Sequence, residues 1–175
     1  MQKAFALDEN SADVYGVQGF RLIFYERDWT NAEKSLKTAL ELDANNVNAH
    51  HWLSVYFSIQ RRLDEAKTEM QKALEIDPTN PTLLADFGQI YYFSGENGKA
   101  VDFYNQAIAF EPNHLFAVQY LAQINAPQEV KSKDTTLNEL EKAADAHDFT
   151  LPFINIDPKY DSLRQDLRFK KSCEN

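Results

Sequence analysis

The sequence contains a single cysteine, Cys173, among 175 residues, so no intrachain disulfide can form and a multi-cysteine zinc site is excluded. Glycine and proline are scarce, at 5 and 6 residues, which argues against a turn-rich β-sandwich and favours long helices. Basic residues are outnumbered, 18 Lys and Arg against 27 Asp and Glu, for a formal charge of −9. Binding a phosphate backbone needs a basic surface to displace counterions, so no nucleic-acid partner is expected for this segment. Long apolar runs are missing as well: the longest strongly apolar stretch, Leu22-Ile23-Phe24-Tyr25, is matched in length by others such as Ile90-Tyr91-Tyr92-Phe93, and all fall far short of the ~20 residues a spanning helix needs. The opening residues Met1 to Asp8 have no apolar signal core. The expected location is the cytoplasm, or the periplasm if a membrane anchor lies upstream, and no membrane contact is expected. What is present is globular in composition, with 43% hydrophobic and 26% charged residues, in a chain long enough to bury most of its apolar surface without staples.

The sequence repeats itself at a step of 34 residues. Ala32, Ala66 and Ala100 recur at that spacing, as do Ala39, Ala73 and Ala107, and Leu36, Met70 and Tyr104. In the preceding stretches Leu53, Phe87 and Leu121 keep the step, as do Ser54, Gly88 and Ala122. A fixed period in this range signals stacked supersecondary units, none able to bury its apolar face alone. Apolar spacing of three and four predicts helices over 47–60 and 63–76, parted by the polar turn Gln60-Arg61-Arg62. Small residues fall where paired helices would cross closely. Asp77-Pro78 ends one helix and Asn80-Pro81 opens the next.

These residues resemble the tetratricopeptide repeat. The unit 81–114 carries the fullest match, Leu84-x-x-Phe87-Gly88-x-x-Tyr91 followed by Gly95, Ala100, Tyr104, Ala107 and Pro112. The unit 47–80 matches at His50, Leu53, Ser54, Phe57, Ala66, Met70, Ala73 and Pro78. The unit 12–46 has one extra residue near its turn, and a degenerate unit spans 115–148. Residues 1–11 read as the end of a further repeat, which would make the chain part of a longer array. The resemblance implies an all-α fold: a right-handed superhelical solenoid of antiparallel helix pairs over 1–148, with a short helical C-terminal cap over 149–175. The run Asp157-Pro158-Lys159-Tyr160-Asp161-Ser162-Leu163-Arg164-Gln165-Asp166-Leu167-Arg168-Phe169 looks like an ending common in bacterial tetratricopeptide proteins, with Leu167 in place of a proline. In those proteins it closes arrays attached to winged-helix, nucleotide cyclase or kinase domains. As a cap, its Tyr160, Leu163 and Phe169 would cover the last helix pair.

No catalytic constellation stands out. His50 and His51 are adjacent on a helix and point about 100° apart, so they do not share a metal easily; neither His114 nor His147 completes a site. Carboxylate pairs such as Asp64/Glu65 lie at helix starts, where they meet the helix dipole. A nucleophile elbow, a phosphate loop and a His-Glu-x-x-His stretch are all absent. Neither enzymatic activity, a cofactor nor a metal is expected.

Mapping the repeat onto this chain places Phe20, Phe24, Trp52, Val55, Ile59, Asp86, Gln89, Tyr92, Phe93, Phe116 and Tyr120 on a concave groove, together with Val17, Ile23 and Gln123. Relatives that grip a peptide's C-terminal carboxylate use Lys, Asn, Asn, Lys and Arg at five groove places. Here those places hold Gly16, Phe20, Trp52, Thr82 and Asp86, so the carboxylate clamp does not carry over. An aromatic groove suits an apolar polypeptide, with Trp and Tyr as anchors, or is filled by the protein itself. Two functions follow: a scaffold that binds another polypeptide, or the regulatory end of a bacterial signalling protein that receives a cue for an attached output domain.

Overall fold

A computed structural model describes residues 11–125, 133–145, 151–154 and 156–174. The half-repeat expected at the amino terminus, the stretch 126–132 and His147 lie outside the described residues. Every described element is helical. Helix α1 (Ala12–Arg21) continues into a wide π turn (Leu22–Glu26) and is followed by α2 (Trp29–Leu42), α3 (Val47–Ile59), α4 (Leu63–Ile76), α5 (Pro81–Phe93) and α6 (Asn97–Phe110). Next come α7 (Leu115–Asn125), α8 (Lys133–Asp145) and α9 (Leu151–Ile154), then a 3-10 turn (Pro158–Leu163) and α10 (Leu167–Glu174). The fold class is an all-helical solenoid of paired helices. The chain divides into two compact units, Met1–Leu83 and Leu84–Asn175.

In the first unit α1 packs on α2, α2 on α3 and α3 on α4. The core residues Leu36, Met70, Ala32, Ala66, Ala39 and Ala73 are fully buried, which is why the repeat keeps them at a 34-residue step. The extra residue of the unit 12–46 is absorbed inside helix rather than in a loop. The amide of Arg62 donates to the Phe57 carbonyl five residues back (2.8 Å), and Glu96 does the same to Tyr91 (2.9 Å). The matching amide of the first pair, Asp28, reaches six residues back to Leu22 (3.0 Å). A single inserted residue in a helix makes such a wide turn. The helix exits then fall in register: Arg27, Arg61 and Gly95 all turn left-handed, with φ of 53°, 62° and 76°, a conformation that only glycine adopts without steric cost.

Helix starts repeat in the same way. Ser11 accepts from the Val14 amide (3.3 Å), Asn46 from Ala49 (2.9 Å), Asn80 from Leu83 (3.3 Å), and the His114 ring from Ala117 (3.3 Å). Each satisfies one of the amide groups that a helix start leaves without a partner. His50 has a structural job of its own: its two ring nitrogens face the Glu69 carboxylate (2.6 Å) and the Ala44 carbonyl (3.0 Å). Burial pushes the Glu69 carboxyl up, but hydrogen bonds from His50 and Lys72 outweigh it and hold the group below its ordinary 4.5. A carboxylate with a depressed value contributes stability above its unfolded value and loses it as the pH falls through the folded one. The melting temperature is therefore expected to drop as the pH falls below 4.5, and Glu69→Gln to flatten that acid limb; thermal melts across the acid range check it.

In the second unit α5 and α6 meet closely at Gly88. A Cβ there would lie 2.7 Å from Tyr104 Cε1 and 2.9 Å from Cδ1, and Tyr104 is fully buried, so its rigid ring has nowhere to move. Gly88→Ala is expected to cost about 1–3 kcal/mol through overpacking. At the equivalent Gly19 a Cβ would lie 2.5 Å from both Cγ and Cδ2 of Leu36, which is as fully buried as Tyr104, so Gly19→Ala should carry a comparable cost. Urea unfolding of both variants checks it. The C-terminal elements build a small core of their own from Leu137, Leu140, Ala144, Ile154, Leu163 and Phe169. Arg168 closes it from outside with a forked pair to Glu141 (2.8 and 2.9 Å).

Candidate functional site

The expected groove residues fall into two clusters, one in each unit. In the first unit, α1 and its π turn present Phe20 and Phe24 beside Trp52 of α3. Phe20 lies 4.6 Å from the Trp52 ring and 5.0 Å from Phe24, and the indole stacks on His51 at 4.3 Å. Beside this cluster opens a cavity of about 310 Å³ lined by Asp13, Val17, Phe20, Asn48 and Trp52. Val17 is 67% exposed and Tyr25, 6.1 Å from the Phe20 ring, is 76% exposed. Val55 and Ile59, expected on the same face, are buried. Ile23 is fully buried: it lies inside the π turn, where the added residue shifts the side-chain register.

Two polar groups at the cavity had not been singled out from the sequence. Asp13 and Asn48 line it, and Asp13 also accepts from the Asn46 side chain (2.8 Å). Their only signal is position, each two residues past a helix-capping residue, Ser11 and Asn46. Of the five carboxylate-clamp places, Phe20 and Trp52 sit in the aromatic cluster, Gly16 is buried and Thr82 is exposed. Asp86 lies in the second unit and is half-buried.

The second cluster joins α5 and α7. Gln89 donates to the Tyr120 hydroxyl (2.7 Å) and Gln123 to the Tyr92 hydroxyl (2.8 Å). The Tyr92 and Tyr120 rings meet edge to face at 5.6 Å, and Tyr120 stacks on Tyr104 at 5.7 Å. This face is covered by the chain's own C-terminal part. The Tyr92 hydroxyl donates to Asp157 (3.1 Å), and Phe153 stacks over Phe93 at 6.1 Å. Burial, with the Asp157 carboxylate adding to it, pushes the Tyr92 phenol up. Lys159 answers the other Asp157 oxygen at 3.0 Å. Tyr92 and Phe93 are buried, Tyr120 is half-buried, and Phe116 is 45% exposed. The Tyr104 hydroxyl is buried with no hydrogen-bond partner among the described residues. No group of three His, Cys, Asp or Glu side chains among the described residues is arranged to hold a metal. No described helix is long and apolar enough to cross a membrane.

Paired helices on a 34-residue period, capped and crossed alike in successive units, define a helical-repeat protein. Residues 59–124 match the tetratricopeptide repeat family model. The matched stretch carries tetratricopeptide repeats. It is 29% identical over 117 residues to anaphase-promoting complex subunit 3 of Schizosaccharomyces pombe, covering 67% of this chain and 17% of that protein. To the DnaJ homolog subfamily C member 7 homolog of the same yeast it is 26% identical, covering 58% of this chain and 21% of the relative. The chain thus spans about a fifth of the length of these curated relatives. Among solved structures, YrrB, described as a tetratricopeptide protein with an unusual peptide-binding site, superposes with a TM-score of 0.58 at 24% identity, over 63% of this chain and 57% of that one. The first tetratricopeptide domain of Spaghetti, bound to the HSP90 peptide SRMEEVD, superposes with a TM-score of 0.62 at 16% identity, over 69% and 95%. Likeness at that identity shows the shared fold.

Proposed function

We propose that this chain is a non-catalytic interaction module that binds an apolar stretch of another polypeptide on the aromatic face of its first unit. Phe20, Phe24 and Trp52 are its anchors. The observation that carries this reading is the Phe20–Trp52 ring pair at 4.6 Å beside an open cavity of about 310 Å³. Large flat side chains at the edge of a pocket supply contact area at low entropy cost and are the usual hot spots of interfaces. The fold supports the same class of function, since solved relatives of it hold peptides. Charge has a lesser part: the groups on the cavity wall are one carboxylate, Asp13, and one amide, Asn48, and no cation stands at the clamp places to receive a terminal carboxylate. Recognition is accordingly apolar, with modest salt dependence.

The test is capture of partners on the immobilised chain, followed by titration of each with wild type and Phe20→Ala, with the partner's carboxyl terminus free and amidated. Weaker binding to Phe20→Ala and indifference to amidation support the reading. Equal binding to both chains, or loss on amidation, overturns it. Dimerisation of the chain through this face would instead make the occupant a second copy. A second reading, the regulatory end of a bacterial signalling protein, draws support from the ending Asp157-Pro158-x-Tyr160-Asp161-x-Leu163-Arg164. The domain composition of the whole protein decides it.

A further inference from the structure

The face of α5 and α7 differs from that of the first unit in being occupied, and the occupant has the form of a ligand. Phe153 lays its ring over Phe93 (6.1 Å), and four residues on Asp157 accepts from the Tyr92 hydroxyl (3.1 Å). Asp157 is buried and Tyr92 is buried, so this bond is made away from water. The receiving side is preorganised independently of the segment: Gln123 fixes the Tyr92 hydroxyl at 2.8 Å, and Gln89 fixes its neighbour Tyr120 at 2.7 Å. With Gln123 donating to the Tyr92 oxygen, the phenol proton is left to point at an acceptor, which a carboxylate supplies best. The segment also has contacts apart from this face: Asp157 accepts from the Lys159 amide (3.0 Å) and pairs with its ammonium (3.0 Å), and Ile154 packs in the C-terminal core.

We propose that the α5–α7 face is a second peptide-recognition site, held by Phe153 and Asp157 as a built-in ligand. The outside ligand it accepts shares their chemistry: an aromatic side chain followed four residues on by a carboxylate. This deepens the interaction reading by naming a ligand class for the second unit, and it rests on that reading only for the idea that the chain binds polypeptides. A partner gains the site by displacing the segment, so affinity is set by competition with a covalently attached rival.

The experiment uses the full chain and, as probe, a fluorescein-labelled peptide of residues 151–163. The wild-type chain should bind the probe weakly. In Asp157→Asn the built-in segment loses its charge-assisted bond, and the probe should bind about tenfold tighter. Adding Tyr92→Phe to that variant should cancel the gain, because the probe then lacks the same hydroxyl. Phe153→Ala serves as a second way of loosening the segment and should also raise probe binding. Equal binding to wild type and both loosened variants, or no binding to any, overturns the proposal. Loss of the helical circular dichroism in both Asp157→Asn and Phe153→Ala overturns it too, since the segment would then be core and not an exchangeable ligand. Trp52 lies in the other unit, so failure of the probe leaves the first-unit reading standing, and loss of a captured partner on Phe20→Ala leaves this one standing.

Discussion

Phe169→Ala is expected to lower the unfolding free energy by about 3–5 kcal/mol, the range for removing a buried aromatic ring. Phe169 is 2% exposed and packs with Leu137, Leu140, Ile154 and Leu163, while Tyr160 lies 6.0 Å from its ring. These residues come from α8, α9, the 3-10 turn and α10, so one ring joins four elements. The Arg168 fork to Glu141 holds α10 against α8 (2.8 Å), which limits collapse into the space left and places the cost toward the upper part of that range. Leu167, two residues before it in the same helix, is exposed, and Leu167→Ala should stay within about 0.5 kcal/mol of wild type. Urea unfolding followed by circular dichroism measures both. A cost below about 1 kcal/mol for Phe169→Ala would mean that the cap does not carry the stability assigned to it.

The second large effect is on binding. Trp52→Ala is expected to weaken a polypeptide partner by roughly thirtyfold, about 2 kcal/mol at a buried aromatic anchor. Trp52 contacts Phe20, Phe24 and His51 and forms part of the cavity wall. Its removal takes away both contact area and the surface against which Phe20 rests. Trp52 is half-buried and not in the deepest core, so the fold should survive, and matching circular dichroism spectra separate lost binding from lost structure. A partner that binds wild type and Trp52→Ala equally well removes the aromatic face from the mechanism.

Much of the fold was legible because a repeat states its packing several times. Leu36, Met70 and Tyr104 stand in equivalent places and all three are fully buried, as the 34-residue step requires. The small residue Gly88 was legible for the same reason, and the ring of Tyr104 against it shows what the missing Cβ makes room for. The left-handed exits were half hidden. Gly95 signals one, but Arg27 and Arg61 give no local sign of positive φ, which is imposed on them by the packing of the helices they join. The extra residue near position 25 was visible as a break in the period. Whether it would widen a loop or a helix turn depended on tertiary contacts that no local preference encodes.

The candidate site divides along the same line. The aromatic set on α1 and α3 follows from repeat position, and Phe20, Phe24 and Trp52 do lie together. That Tyr92 and Phe93 would be covered by the chain's own C-terminal part was not readable. The Tyr92–Asp157 bond joins residues 65 apart, outside any period, and Asp157-Pro158 reads in sequence as a turn opening, a role it also fills through the Lys159 amide. One residue serves two purposes there, and only the local one has a sequence signature.

The central claim, that a polypeptide is gripped on the aromatic face of the first unit, is tested most directly by site-specific photocrosslinking. A benzophenone amino acid at Val17, which is exposed on the cavity wall, should crosslink to a captured partner, and Trp52→Ala should strongly reduce the product at partner concentrations near the wild-type Kd. The same group at exposed Lys72, which lines a different cavity with His50 and Glu75, should give none. Crosslinks from position 72 and none from position 17 would contradict the account.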